Sequence, residues 1–143
     1  MDWKEQLHKD LQKDEGLRLK AYRCTSGVLT IGYGHTAGVK SKDVITKEQA
    51  DAFLEADIAN AIEDARIVCL CFDQLDGPRK AVVANMVFNL GMERFSLFQR
   101  TRAAICAGQY KQAALHMKDS LWSRQVGQRA ARLAQQMSTG KWQ

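Results

Sequence analysis

The chain has 143 residues, 45% hydrophobic and 26% charged, the balance of an ordinary globular domain and not of a fibrous or disordered chain. One proline and no low-complexity stretch exclude long unstructured linkers. Lysine and arginine outnumber aspartate and glutamate by 21 to 16, and the formal charge of +5 favours anionic partners without choosing among nucleic acid, acidic lipid and a cell envelope.

The N-terminus is charged from Asp2 and no apolar run follows it, which predicts neither a cleaved leader nor a membrane span. Trp3, Leu7 and Leu11 recur at i, i+4, i+8, predicting a short amphipathic helix that ends near Asp14, Glu15 and Gly16. Over residues 17–35 the pattern changes. Ala21, Tyr22, Val28, Leu29, Thr30, Ile31 and Tyr33 have strand character, and Thr25-Ser26-Gly27 reads as the turn between two strands. Gly32, Gly34 and Gly38 then interrupt the chain, giving a small antiparallel sheet with glycine-rich connections.

Helix returns after Thr46, whose pairing with Gln49 is a capping-box signature. From residue 47 to about 66 a stripe of Ala50, Phe53, Leu54, Asp57, Ile58, Ala61, Ile62 and Ala65 predicts a helix of about twenty residues, roughly 30 Å long. Further helices are predicted at 74–89, 95–107, 110–121 and 123–137, with Gly91, Gly108 and Gly140 where helices stop. The fold class is α+β: a small N-terminal antiparallel sheet and a helical bundle behind it.

The four cysteines, Cys24, Cys69, Cys71 and Cys106, do not form a secreted disulfide framework in a chain of this length, and reduced thiols with cytosolic synthesis are the expectation. The C-x-C of Cys69 and Cys71 lacks a complementary Cys or His pair, whereas a metal site needs about four ligands. It is expected to be core packing at a helix junction, with no metal.

The densest chemical cluster lies between residues 14 and 35: Glu15 at a helix end, Cys24 before a turn and Thr30 on the next strand. A helix terminus followed by a hairpin lets all three face one cleft. Glycoside hydrolysis needs an acid to protonate the leaving oxygen and a group opposite to position or activate water. A glutamate suits the first role where its surroundings raise its pKa. Taken singly, Glu15 reads equally as a solvated acid, Cys24 as a small buried residue and Thr30 as a strand former.

The run Asp14-Glu15-Gly16-Leu17-Arg18-Leu19-Lys20-Ala21-Tyr22, then Gly27 and Thr30-Ile31-Gly32-Tyr33-Gly34-His35, closely resembles the active-site region of phage lysozymes (endolysins). Further matches are Asn85-Met86-Val87-Phe88-Asn89-Leu90-Gly91, Trp122, Arg129, Arg132 and Thr139-Gly140-Lys141-Trp142, in order along nearly the whole chain. The resemblance implies a muramidase that cuts the β-1,4 bond between N-acetylmuramic acid and N-acetylglucosamine, usually with inversion, for host cell lysis. With the elements above it gives one two-lobed lysozyme-like domain over 1–143. A sheet lobe at about 15–46 and a linking helix at about 47–66 precede a helical lobe at about 67–143 that includes helix 1, with the cleft between the lobes.

Carried over residue by residue, the resemblance makes Glu15 the general acid and Thr30 the threonine that helps hold the attacking water. Cys24 stands where the family often has aspartate. An unperturbed thiol, with a pKa of about 8.5, is mostly protonated at neutral pH. Cys24 can act as a thiolate if Arg18 or Arg23 lowers its pKa, attack C1 directly, or orient water; the three roles stay open here. Phe88 and Asn89 resemble cleft-lining positions, Thr101 and His116 fall where the family contacts the saccharide, and Ser26 replaces a frequent acid. His35 has two readings, a base for Cys24 or a salt bridge to Asp57, and the resemblance favours the second. The arginines and lysines of the final third are either a solvated face or an attraction for the envelope.

The expected partner is bacterial peptidoglycan, met by a monomer with no metal or organic cofactor, no nucleic acid and no stable membrane insertion. Synthesis in the host cytoplasm, with access to the periplasm through a lesion made by a separate holin-type protein, completes the expectation. The rivals are a wall-binding protein of the same fold without turnover, Cys24 being the lesion, and a cysteine-dependent amidase or peptidase.

Overall fold

In the computed structural model, which describes residues 2–143, Leu7 and Leu11 are fully buried and seat a first helix, α1 (Trp3–Glu15). It stops at Gly16, whose φ of +68° a side chain would resist and whose N–H closes the last turn on Gln12 O at 3.0 Å. Two antiparallel strands follow, β1 (Arg18–Arg23) and β2 (Leu29–Gly32), with Tyr22 opposite Thr30 and Arg23 opposite Leu29. A bulge between Arg18 and Tyr22 shifts the register. Cys24 and Gly27 close the predicted turn: Gly27 N donates to Cys24 O at 2.8 Å, and Cys24 N to Val28 O at 3.0 Å. Gly27 takes φ +84°, the left-handed position of a three-residue hairpin loop.

The predicted capping box forms. Gln49 N donates to Thr46 Oγ1 at 3.1 Å and Thr46 N to Gln49 Oε1 at 2.9 Å, which fixes the start of α2 (Lys47–Val68). Its buried residues, Ala50, Leu54, Ile58, Ala61, Ile62, Ala65 and Val68, repeat at three and four as the sequence pattern requires. His35 is joined to this helix as expected: Nδ1 lies 2.7 Å from Asp57 Oδ2, and the ring stacks on Phe53 at 4.2 Å. His35 also exchanges backbone hydrogen bonds with Ile31 at 2.8 and 2.9 Å, so one residue pins the glycine-rich loop to both β2 and α2.

The remaining elements are a 3-10 turn at Phe72–Gln74 and six helices: α3 (Gly77–Leu90), α4 (Met92–Ser96), α5 (Gln99–Cys106), α6 (Tyr110–Lys118), α7 (Leu121–Val126) and α8 (Gln128–Thr139). Helix α3 is apolar nearly all round and buried from Ala81 to Val87. It starts later than the pattern suggested, because Asp76 Oδ1 caps Arg79 N at 3.0 Å and Pro78 occupies the first turn, where a missing N–H costs nothing. Two predicted helices are each divided. The chain breaks at Leu97 and Phe98 between α4 and α5, and at Gly127, with φ +53°, between α7 and α8. The Arg79 guanidinium ties α3 to α8, donating to Met137 O at 2.8 Å and Ser138 O at 3.2 Å while lying 3.6 Å over the Tyr110 ring.

The expectation of four reduced cysteines is overturned: Cys71 and Cys106 are joined in a disulfide, leaving Cys24 and Cys69 as thiols. Cys69 is buried as expected of core packing; Cys71 instead forms a covalent link from the 3-10 turn's entry to the end of α5.

By contacts, the chain divides into two compact units: Lys4–Asn60, which holds the sheet, and Ala61–Gln143 with the first residues through Trp3. Among the described residues no helix is long and apolar enough to cross a membrane.

The His35–Asp57 pair is largely shielded from water, at 12% and 24% side-chain exposure, so its loss should be felt. His35→Asn is expected to lower unfolding free energy by about 1–3 kcal/mol in chemical denaturation, the range for a hydrogen bond to a charged group. Turnover per folded molecule should be unchanged; a fall in turnover at full stability would assign His35 to the chemistry instead.

Candidate active site

Glu15 is the last residue of α1 and half-buried. Its carboxylate lies directly against the backbone of Gly34, where a Cβ would come 2.6 Å from Oε1 and 3.0 Å from Cδ. Gly34 has φ +76° as well, so both conformation and space demand glycine at this point. The second glycine of the loop is therefore the floor on which the carboxylate rests.

Cys24 ends the first arm of the hairpin and is partly exposed. Its Sγ lies 3.0 Å from Ser26 Oγ across the turn. The thiol pKa is lowered to about 7. The Ser26 hydroxyl contributes most, then the backbone N–H groups of Val28 and Ser26, partly offset by burial, with the Thr30 hydroxyl adding a smaller lowering. The lowering does not come from Arg18 or Arg23, the route left open by the sequence. Arg23 Nη1 donates to Gly27 O at 2.9 Å, and the Arg18 guanidinium sits 4.2 Å over the Tyr22 ring. The anion is held by hydroxyl and amide dipoles of the turn, not by a cation.

Thr30, buried on β2, donates its hydroxyl proton from Oγ1 to Val28 O at 2.9 Å, and the hydroxyl lies near enough to the Cys24 sulfur to contribute to the lowering of its pKa. Tyr22, opposite Thr30 in the sheet, links the set to Glu15. Its phenol pKa is raised first by burial, then by the negative charges of Glu15 and Cys24, with Arg18 opposing. One ring thus feels both candidate catalytic groups. Glu15, Cys24 and Thr30 are brought into one neighbourhood within the Lys4–Asn60 unit. Tyr22 and Gly34 belong to it too. The sequence carried a signal for them only as members of the family-like run, since neither residue type marks a catalytic role alone.

The other four residues lie in the Ala61–Gln143 unit. Thr101 and His116 line an open hollow of about 500 Å³, together with Phe98, Trp122, Arg94 and Arg100. Asn89 joins this group indirectly, its Oδ1 accepting from Trp122 Nε1 at 2.7 Å and fixing the indole. Phe88, half-buried on α3, is not part of the wall. Phe98 and the two arginines were not singled out for the site from the sequence; an aromatic at a helix break and cations on solvated faces look like ordinary surface.

Residues 12–138 match the family model described as phage lysozyme. The chain is 46% identical to an endolysin of Acyrthosiphon pisum secondary endosymbiont phage 1, over 60% of its own length and 58% of that protein. It is 30% identical to the probable T4-type lysozyme 1 of Dictyostelium discoideum, over 92% of this chain and 94% of the relative. Against the endolysin of Salmonella phage P22 the identity is 35%, over 60% of this chain and 61% of the relative. The matches to the two phage endolysins thus cover less than two thirds of those proteins.

Two substitutions test the geometry. Ser26→Ala should move the Cys24 pKa from about 7 back toward an ordinary thiol, read as the midpoint of iodoacetamide alkylation against pH. An unmoved midpoint would remove Ser26 from the site's electrostatics. Gly34→Ala should displace the Glu15 carboxylate and cut turnover per folded molecule roughly tenfold to a hundredfold, the cost of an ångström-scale misplacement. Undiminished turnover in a folded Gly34→Ala protein would contradict the placement of Glu15.

Proposed function

This chain belongs to the phage lysozyme family, and from that premise we propose that Glu15, Cys24 and Thr30 carry out its glycoside hydrolysis. The protein is a lysozyme-type hydrolase of peptidoglycan, acting on the β-1,4 bond between N-acetylmuramic acid and N-acetylglucosamine. Glu15 protonates the glycosidic oxygen as the sugar takes on oxocarbenium character. The Cys24 thiolate accepts a proton from the attacking water, and the Thr30 hydroxyl holds that water by accepting its second hydrogen. The observation that carries this reading is the 3.0 Å approach of Ser26 Oγ to Cys24 Sγ, which with the turn amides inclines the sulfur to ionise, in a hairpin whose Tyr22 phenol feels the charges of both Glu15 and Cys24. Cys24 takes the place of the aspartate that the family resemblance leads one to expect: with its pKa lowered to about 7 it is partly anionic near neutral pH, and thiolate is a competent base.

Thr101 and His116 hydrogen-bond the acetamido sugars, and the half-buried Phe98 offers its apolar face to their rings, with the buried Trp122 packed edge-on behind it. Asn89 acts through the indole it fixes. Supporting this is the hollow that Thr101, His116, Phe98 and Trp122 line. We infer that the chain is made in the host cytoplasm and acts on the wall as a monomer after a separate holin-type protein opens the membrane; what the endolysin relatives support is action on peptidoglycan.

Digestion of purified peptidoglycan tests the reaction. The wild type should release new reducing ends and no new amino groups, and Glu15→Gln should lose activity by about 100-fold or more, the range for removing a general acid. New amino groups would mean amidase or peptidase action. Binding without either product would leave a wall-binding protein.

A further inference from the structure

Three sulfurs meet where the end of α2 runs into the 3-10 turn and faces the last residue of α5. Cys69 Sγ lies 3.8 Å from Cys71 Sγ and 4.0 Å from Cys106 Sγ, and all three atoms fall within 4.8 Å of one another. Cys71 and Cys106 share the disulfide, while Cys69, 1% exposed, is a thiol in contact with both halves of it. Along the sequence the C-x-C lacks a complementary Cys or His pair, and core packing was the expectation; the fold brings Cys106 to it.

We propose that this cluster is a redox-gated site for a thiophilic d10 ion such as zinc, closed while the disulfide stands and opened by its reduction. Zinc–thiolate bonds of about 2.3 Å place two sulfurs of a tetrahedral site about 3.8 Å apart. Two of the three sulfur–sulfur edges already have that length. The third opens when the Cys71–Cys106 bond breaks. Two molecules of a cellular thiol supply the two electrons and two protons: the protein S–S bond is cleaved to two S–H groups and the reductant leaves as its own disulfide. Binding then replaces three S–H protons, released to solvent, by three sulfur–metal bonds, and a water molecule takes the fourth position of the tetrahedron. Cys106 is exposed and Cys71 half-buried, so both reductant and ion have access, while Cys69 anchors the site from inside. Burial pushes the Cys69 thiol pKa up, opposed by the Cys71 backbone N–H and the Arg102 charge. The state of the cluster thus reports its compartment, metal-bound where thiols are kept reduced and cross-linked where they are oxidised.

This inference is independent of the lytic reading and is tested without it. The full chain is reduced with a phosphine, freed of reductant under nitrogen and titrated with cobalt(II). One equivalent should bind with thiolate-to-cobalt charge-transfer absorption and be displaced by zinc. The unreduced chain should bind none, and Cys69→Ser should weaken binding at least tenfold. Should Cys69→Ser not fold, Cys106→Ser, at an exposed position, should show the same weakening. The proposal is overturned if the reduced chain lacks the charge-transfer band, if the unreduced chain or a folded serine variant binds as well, or if reduction unfolds the protein and cobalt does not restore its helical circular dichroism.

Discussion

A thiol left to itself is mostly protonated at neutral pH, so the proposed role of Cys24 as a base requires that the proton's hold on sulfur be lowered. Here that is done inside a hairpin turn. The tight loop closed by Gly27 brings the Ser26 hydroxyl to 3.0 Å from Cys24 Sγ and points the Val28 and Ser26 amides toward the same atom. No cation is needed for it: Arg23 is occupied with the Gly27 carbonyl and Arg18 with the Tyr22 ring. Dipoles fixed by backbone geometry cost no rearrangement when charge appears on the sulfur, the condition that makes such stabilisation effective in catalysis.

The rest of the Lys4–Asn60 unit serves to keep this turn and Glu15 in register. Strand pairing sets Thr30 opposite Tyr22, the loop after β2 lays Gly34 beneath the Glu15 carboxylate, and His35 clips that loop to Asp57 on α2. The positions that hold the arrangement together are those with least freedom: two glycines with positive φ, and a histidine held by a carboxylate, a phenyl ring and two backbone bonds. In the Ala61–Gln143 unit the burden falls differently. Helix α3, buried from Ala81 to Val87, forms the centre, and polar residues toward its two ends, Arg79 to Met137 O and Asn89 to Trp122 Nε1, fix neighbouring helices to it.

Local signals were readable where their cause is local. The Thr46/Gln49 capping box, the glycines that end α1, α3 and α8, the hairpin turn and the three-four repeat of α2 each arise from neighbours in the chain, and all appear as expected. What stayed hidden depends on distant partners. The Cys71–Cys106 disulfide joins residues 35 apart, and no spacing rule in one sequence selects that pair. The breaks at Leu97 and Gly127 lie within apolar patterns that continue on either side, so periodicity alone runs the helices together. At the site, Glu15, Cys24 and Thr30 were legible through their resemblance to a family; the hydroxyl that ionises the cysteine was not. Ser26 showed in the sequence only as a missing acid, because a serine's effect on a thiol two residues away depends on the turn that folds one onto the other.

The central claim is that the anion of Cys24 drives hydrolysis, and the pH dependence of wall lysis tests it most directly. If the thiolate is the base, wild-type turnover rises through an ionisation near pH 7. Cys24→Asp should then keep turnover while its acidic limb moves down toward the carboxylate range, about pH 4. A wild-type profile that stays flat between about pH 6 and 8, or full turnover in Cys24→Ser, would contradict the account.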